Sequence, residues 1–158
     1  MKLFNYYAKK KLNDLKREGI RVLFAGDRSK LSEEVRKSME TAENHTKDCN
    51  EMTLIACFNY GGKQEIIDAV NKAIEKGHTV ISEEDIRENL YLPDVPDPDL
   101  IVRTSGELRL SNFWLWESAY SEFYFTNALW PDFNETLLDK ALKSYMERDR
   151  RYGGIKKV

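Results

Sequence analysis

Apolar residues Phe4, Ala8, Leu12 and Leu15 recur at helical spacing and Gly19 follows where a helix end favours glycine, so residues 2–18 are predicted to form an amphipathic helix. Residues 21–25 (Arg-Val-Leu-Phe-Ala) form a short apolar run closed by Gly26-Asp27, which reads as a strand. Ser32, followed by Glu33 and Glu34, is placed to cap a second helix that carries Val35, Met39 and Ala42 inward. Residues 52–58 are the next strand, and Asn59-Tyr60-Gly61-Gly62 turns the chain into a helix whose inner face is predicted to be Ile66, Val70 and Ile74. Ser82 opens a shorter helix through Leu90. Prolines 93, 96 and 98 each lack an amide donor and restrict the residue before them, so this stretch is an extended connection. It leads to a strand at 100–102, an aromatic helix at 113–120, a strand at 123–126 and a last helix with Leu138, Leu142 and Tyr145 on one side. Strands alternate with helices, which predicts an α/β fold with a mainly parallel sheet flanked by helices. Such sheets bind ligands beyond the carboxyl ends of their strands.

Composition narrows the function classes. The chain has 158 residues, enough for one domain with one core, and no repeat of solenoid period. Its 25 Lys+Arg against 27 Asp+Glu leave a net charge of −2, so no basic excess marks a nucleic-acid partner. The longest apolar runs fall short of the about 20 residues that cross a bilayer. The charged start MKLFNYYAKKKL lacks a signal-peptide core, so a cytoplasmic location is expected. Cys49 and Cys57 have no partner at metal spacing and read as packing thiols, while His45 and His78 are expected to face solvent.

The candidate chemistry follows the strand at 100–102. Arg103-Thr-Ser-Gly106-Glu-Leu-Arg109-Leu-Ser111-Asn-Phe113 combines two guanidinium forks, three hydroxyls and a glycine at a strand's carboxyl end. Guanidinium groups grip phosphate oxygens in pairs and glycine lets backbone amides approach, which points to anion binding, most simply a diphosphate. An ordinary solvated loop could carry the same spacing, because two arginines six residues apart are a weak pattern.

Residues 99–133, DLIVRTSGELRLSNFWLWESAYSEFYFTNALWPDF, closely resemble the C-terminal signature of the cis-prenyltransferases, the undecaprenyl diphosphate synthase family. Asn59-Tyr60-Gly61-Gly62-Lys63 resembles the family's Asn-Tyr-Gly-Gly-Arg turn, with Lys63 for arginine. Arg150-Arg151-Tyr152-Gly153-Gly154 resembles its Arg-x-Gly ending, and Leu108 stands where some relatives carry histidine. The family's Asp-Gly-Asn-Gly-Arg-Trp loop and its Ser-x-Glu-Asn-Trp segment do not occur in these residues. The expectation is therefore a single cis-prenyltransferase-like domain over 1–158 that is the C-terminal part of such an enzyme, with a fold incomplete relative to the family's.

The resemblance implies cis-prenyl chain elongation, in which isopentenyl diphosphate condenses with an allylic diphosphate to give a polyprenyl diphosphate. Arg103, Arg109 and Ser111 would bind the isopentenyl diphosphate, joined by Arg151 and Gly153 reaching across a dimer interface. Glu122 would ligate Mg2+, half a site by itself, and no catalytic residue is assigned because the family's aspartate is absent. Gly61 and Gly62 would serve the turn, and Trp114, Trp116, Phe123 and Phe125 core and dimer contacts. The expected partners are a second copy or a complementing N-terminal polypeptide, with the lipid product handed to the membrane. The chain alone would be inactive. The other readings are a non-catalytic partner subunit of a cis-prenyltransferase and an inactive fragment.

Overall fold

The computed structural model describes residues 11–148. Arg151 and Gly153 lie outside the described residues. The chain divides into two compact units, one ending at Pro93 and the other beginning at Asp94.

In the first unit a helix (α1, residues 11–17) leads into β1 (Ile20–Ala25), α2 (Glu33–Thr46), β2 (Met52–Cys57), α3 (Gly62–Glu75) and α4 (Glu83–Asn89). β1 and β2 pair in parallel with Ile20 opposite Met52 and Ala25 opposite Cys57. Val22, Phe24, Val35, Met39 and Ala42 form the core, with Leu12, Leu15 and Phe58 packed around it, so the periodicities of α1, β1 and α2 meet in one cluster. Ser32 is at the N-cap of α2 without a side-chain cap, whereas Ser82 and Asp85 form a reciprocal capping box at α4.

The inner face of α3 is not the one its large residues predict. Gly62, Glu65, Ala69 and Ala73 are buried, Ile66 and Val70 are half-buried, and Ile74 is 55% exposed. The small alanines form the inward row beside which α4 packs, so the bulky residues flank it. Buried Glu65 accepts hydrogen bonds from the Tyr60 hydroxyl and from the Tyr91 amide, the latter at 3.0 Å. His78 is exposed as expected but is paired, its Nδ1 2.7 Å from Asp85 Oδ1.

The two turns at the carboxyl ends of β1 and β2 clasp each other. Asn59, at φ 51°, donates from Nδ2 to the Asp27 carbonyl at 2.8 Å, and the Asp27 amide returns a bond to the Asn59 carbonyl at 3.2 Å. Gly26 is at φ 132°, and a Cβ there would lie 2.1 Å from the Phe58 carbonyl oxygen, so only glycine fits.

In the second unit β3 (Leu100–Arg103) pairs in parallel with β4 (Glu122–Phe125), and α5 (Glu135–Met146) packs on β4. The chain is thus α/β, with parallel strand pairs flanked by helices. The predicted aromatic helix shrinks to a 3-10 turn, Glu117–Tyr120. Ser111, Asn112 and Trp114 have φ of 53°, 64° and 46°, and left-handed residues cannot carry a right-handed helical ladder. On α5 the inward positions are Leu137, Ala141 and Tyr145, and Leu138 and Leu142 are each 43% exposed. Ala141 is fully buried because a small residue brings the helix close to its neighbours.

Candidate functional site

Arg103 ends β3, and the loop that follows is stitched back onto the strand pair. The Thr126 amide bonds to the Arg103 carbonyl at 2.9 Å, the Gly106 amide to Thr126 at 2.9 Å and the Ser105 amide to Ala128 at 2.8 Å. Four non-glycine residues of this loop, Ser105, Ser111, Asn112 and Trp114, have positive φ. Each such conformation costs on the order of 1–3 kcal/mol, and strain of this kind gathers at ligand-binding turns. The loop arches over a pocket of about 190 Å³.

Arg103 and Arg109 both line that pocket. Ile101, Phe123 and Phe125 form its strand-side wall, while Leu110 and Phe113 come from the loop. Arg109 pairs with Glu107, their side chains 63% and 38% exposed. Such an exposed pair is worth about 0–1 kcal/mol, so an incoming dianion can displace Glu107. Ser111 follows two residues after Arg109 but is not among the residues lining the pocket.

Glu122 lies elsewhere. It opens β4 opposite Leu100, whereas Arg103 is opposite Phe125, so three residues of strand, about 10 Å, separate the two positions. Its Oε2 is held by Arg148 Nη1 at 2.5 Å, and Arg148 Nη2 donates to the Phe123 carbonyl at 2.7 Å. Among the described residues no group of three or more His, Cys, Asp or Glu side chains could hold a metal ion. The magnesium that the motif implies therefore does not find a fitting donor set in the described part of this chain.

The first unit has a larger cavity that the sequence did not announce, about 520 Å³ at the carboxyl end of β1. Asp27, Arg28, Asp68, Lys72 and Tyr91 are among its lining residues. Ser29 hydrogen bonds hold the Asp27 carboxyl below its ordinary range. Burial, then the 2.5 Å bond to Asp68 Oδ2, pushes the Tyr91 phenol up. Arg28 is committed within the unit, to Glu43 (Nη2 to Oε1 2.5 Å, Nη1 to Oε2 3.0 Å) and to the Phe24 carbonyl at 3.1 Å.

The roles of Glu107, Leu110 and Phe113 were not read from the sequence. The alternation of Phe123 and Phe125 along β4 was the available signal, since residues two apart share a face.

The undecaprenyl diphosphate synthase family model matches residues 1–153. The isoprenyl transferase of Fusobacterium nucleatum is 48% identical over 158 residues, covering 100% of this chain and 68% of the relative. The chain belongs to this family of cis-prenyltransferases. The Thermotoga maritima isoprenyl transferase is 50% identical across 98% of the chain and 68% of its own length. A solved structure of a probable undecaprenyl diphosphate synthase from Campylobacter jejuni superposes with a TM-score of 0.87 at 32% identity, over 96% of this chain and 72% of that one. Lavandulyl diphosphate synthase from Lavandula x intermedia, solved with dimethylallyl diphosphate, gives a TM-score of 0.89 at 32% identity over 96% of this chain and 69% of its own. Cis-prenyltransferases elongate prenyl chains from isopentenyl and allylic diphosphates, and the fold described above is theirs.

Proposed function

We propose that this cis-prenyltransferase chain supplies the isopentenyl-diphosphate site of cis-prenyl chain elongation. The observation that carries the reading is the convergence of Arg103 and Arg109 on one pocket, under a strained loop at the carboxyl end of a parallel strand pair. Two guanidinium groups on a small pocket suit a diphosphate, since each donates charge-assisted bonds in a fixed fork. In this reading Ser111 adds a hydroxyl to the diphosphate, and Arg151 and Gly153 supply further contacts from a second copy.

In the condensation, the isopentenyl double bond attacks the allylic carbon, whose C–O bond breaks with its electron pair leaving on diphosphate. Loss of a proton from the isopentenyl unit then leaves the new cis double bond. The contribution of this chain's own residues is to hold the isopentenyl diphosphate in place and balance its charge. Magnesium belongs to the reaction in our reading, with Glu122 as a ligand only when further donors from outside the described residues join it. The setting is the cytoplasm, with the lipid product passed to the membrane. No helix of the described residues is long and apolar enough to cross one.

Calorimetric titration of isopentenyl diphosphate tests the reading. Binding should be measurable with the intact chain and fall at least about tenfold with Arg103→Ala, a loss of about 1.4 kcal/mol or more for a charge-assisted contact. Equal binding by both would defeat it.

A second reading, a non-catalytic partner subunit, is favoured by the want of a metal-binding cluster among the described residues. The 158 residues by themselves should not incorporate labelled isopentenyl diphosphate onto farnesyl diphosphate with magnesium. Turnover at roughly 1 per second or faster would refute that expectation.

A further inference from the structure

The pocket under the 104–116 loop has one charged end and one apolar end, and the strand register fixes which is which. Ile101 pairs with Phe123 and Arg103 with Phe125, and residues two apart share a face. The Arg103–Phe125 row therefore lies about 6.6 Å nearer the carboxyl ends of the strands than the Ile101–Phe123 row. Arg109 lines the same pocket from the loop. The rings of Phe123 and Phe125 stack at 5.9 Å and 6° as a flat strand-side wall.

The loop contributes a single aromatic ring to the lining, Phe113. The Phe113 amide bonds to the Leu110 carbonyl at 3.2 Å, which makes the roof a turn. Trp114, at φ 46°, sets its ring 6.1 Å from that of Phe113 at 37°. At about 190 Å³ the space is smaller than the roughly 300–1,000 Å³ of sites for drug-sized ligands, so it has room for a diphosphate with only a short hydrocarbon.

We infer that Phe113 is a specificity-determining residue: as the loop's ring in the pocket lining, it bounds the space left for the hydrocarbon and limits the homoallylic diphosphate to five carbons. The inference rests on the isopentenyl-diphosphate reading of this site and goes one step past it. The charged end holds the diphosphate whatever its tail, and the apolar end measures the tail. One methylene too many in a closed apolar pocket shifts affinity by roughly 10–200-fold.

The experiment is calorimetric titration of the intact chain with three probes: inorganic diphosphate, isopentenyl diphosphate, and 3-ethylbut-3-enyl diphosphate, which has one more methylene. The wild-type chain should bind isopentenyl diphosphate at least about tenfold more tightly than the larger homologue. Phe113→Ala should bring the two affinities together by admitting the larger tail, with inorganic diphosphate bound as before. Phe113 is 42% exposed at the rim, so its truncation spares the core, and Phe113→Leu provides a milder enlargement with the same expected direction. Discrimination that stays at its wild-type value in both variants overturns the inference while leaving the isopentenyl reading intact. Failure of the wild-type chain to bind either isopentenyl or inorganic diphosphate overturns the reading and the inference with it.

Discussion

The Thr46 hydroxyl accepts the Val22 backbone N–H at 3.0 Å while donating to the Ala42 carbonyl at 2.9 Å, so a helix side chain closes a strand edge. The Gly19 and Ala25 carbonyls accept amides from the β2 side, which turns the backbone N–H and C=O groups of the even-numbered residues of β1 toward its other edge. There Phe24 is served likewise, its amide by Glu43 Oε1 at 3.1 Å and its carbonyl by Arg28. An open edge would be a template for pairing with another chain, and at β1 that edge is already occupied.

Thr46→Val keeps the shape of the side chain and removes the acceptor, leaving the Val22 amide buried without a partner. It should cost about 1–3 kcal/mol in urea unfolding, with the midpoint lowered at unchanged slope. Thr46→Ser retains the hydroxyl and should lose less. A valine variant as stable as wild type would show that the bond contributes nothing.

Glu107 competes with ligand for Arg109. Glu107→Gln frees the guanidinium of an exposed pair worth about 0–1 kcal/mol, so inorganic diphosphate should bind up to about fivefold more tightly. The gain should shrink as salt rises, because screening weakens exposed charges. Weaker binding at low salt would place Arg109 outside the anion site.

At α4, Asp85 Oδ2 accepts bonds from the Ser82 hydroxyl at 2.6 Å and the Ser82 amide at 2.8 Å. These bonds first, then His78 and Lys76, hold its carboxyl below the ordinary 3.8. A carboxyl with a depressed folded value adds stability that is complete above the unfolded value and is lost as pH falls through the folded one. Chemical denaturation across a series below about pH 5 should therefore show stability falling with acid, less steeply in Asp85→Asn. Identical slopes for the two proteins would refute the linkage.

β2 presents a different surface from β1. Met52 and Leu54, two apart on one face, are 52% and 43% exposed, and among the described residues β2 pairs with β1 alone. Trp130 is 73% exposed. Apolar exposure of this kind drives association, so multi-angle light scattering should find the chain as a dimer or larger. A cooperatively melting monomer at micromolar concentration would contradict this.

What the sequence determined by itself was local or motif-borne. The alternation of apolar runs with turns marked the four strands of the described residues and the α/β class, because strand and helix periods differ and Gly26, Gly61 and Ser82 interrupt them where the chain turns. Residues 99–133 named the family, and they placed Arg103 at a strand's carboxyl end with Arg109 in the loop that follows. Tertiary structure decided what depends on neighbours distant in sequence. On α3 Ala73 faces inward and Ile74 outward, a choice that packing made and that hydrophobicity alone would have reversed. The helix expected from 113 to 120 yielded to left-handed turns, whose cost only a tied-down loop can sustain. Glu122 and Arg103, 19 positions apart in sequence, end on parallel strands at a separation of about 10 Å. That separation comes from the pairing register, which no single strand's own sequence encodes.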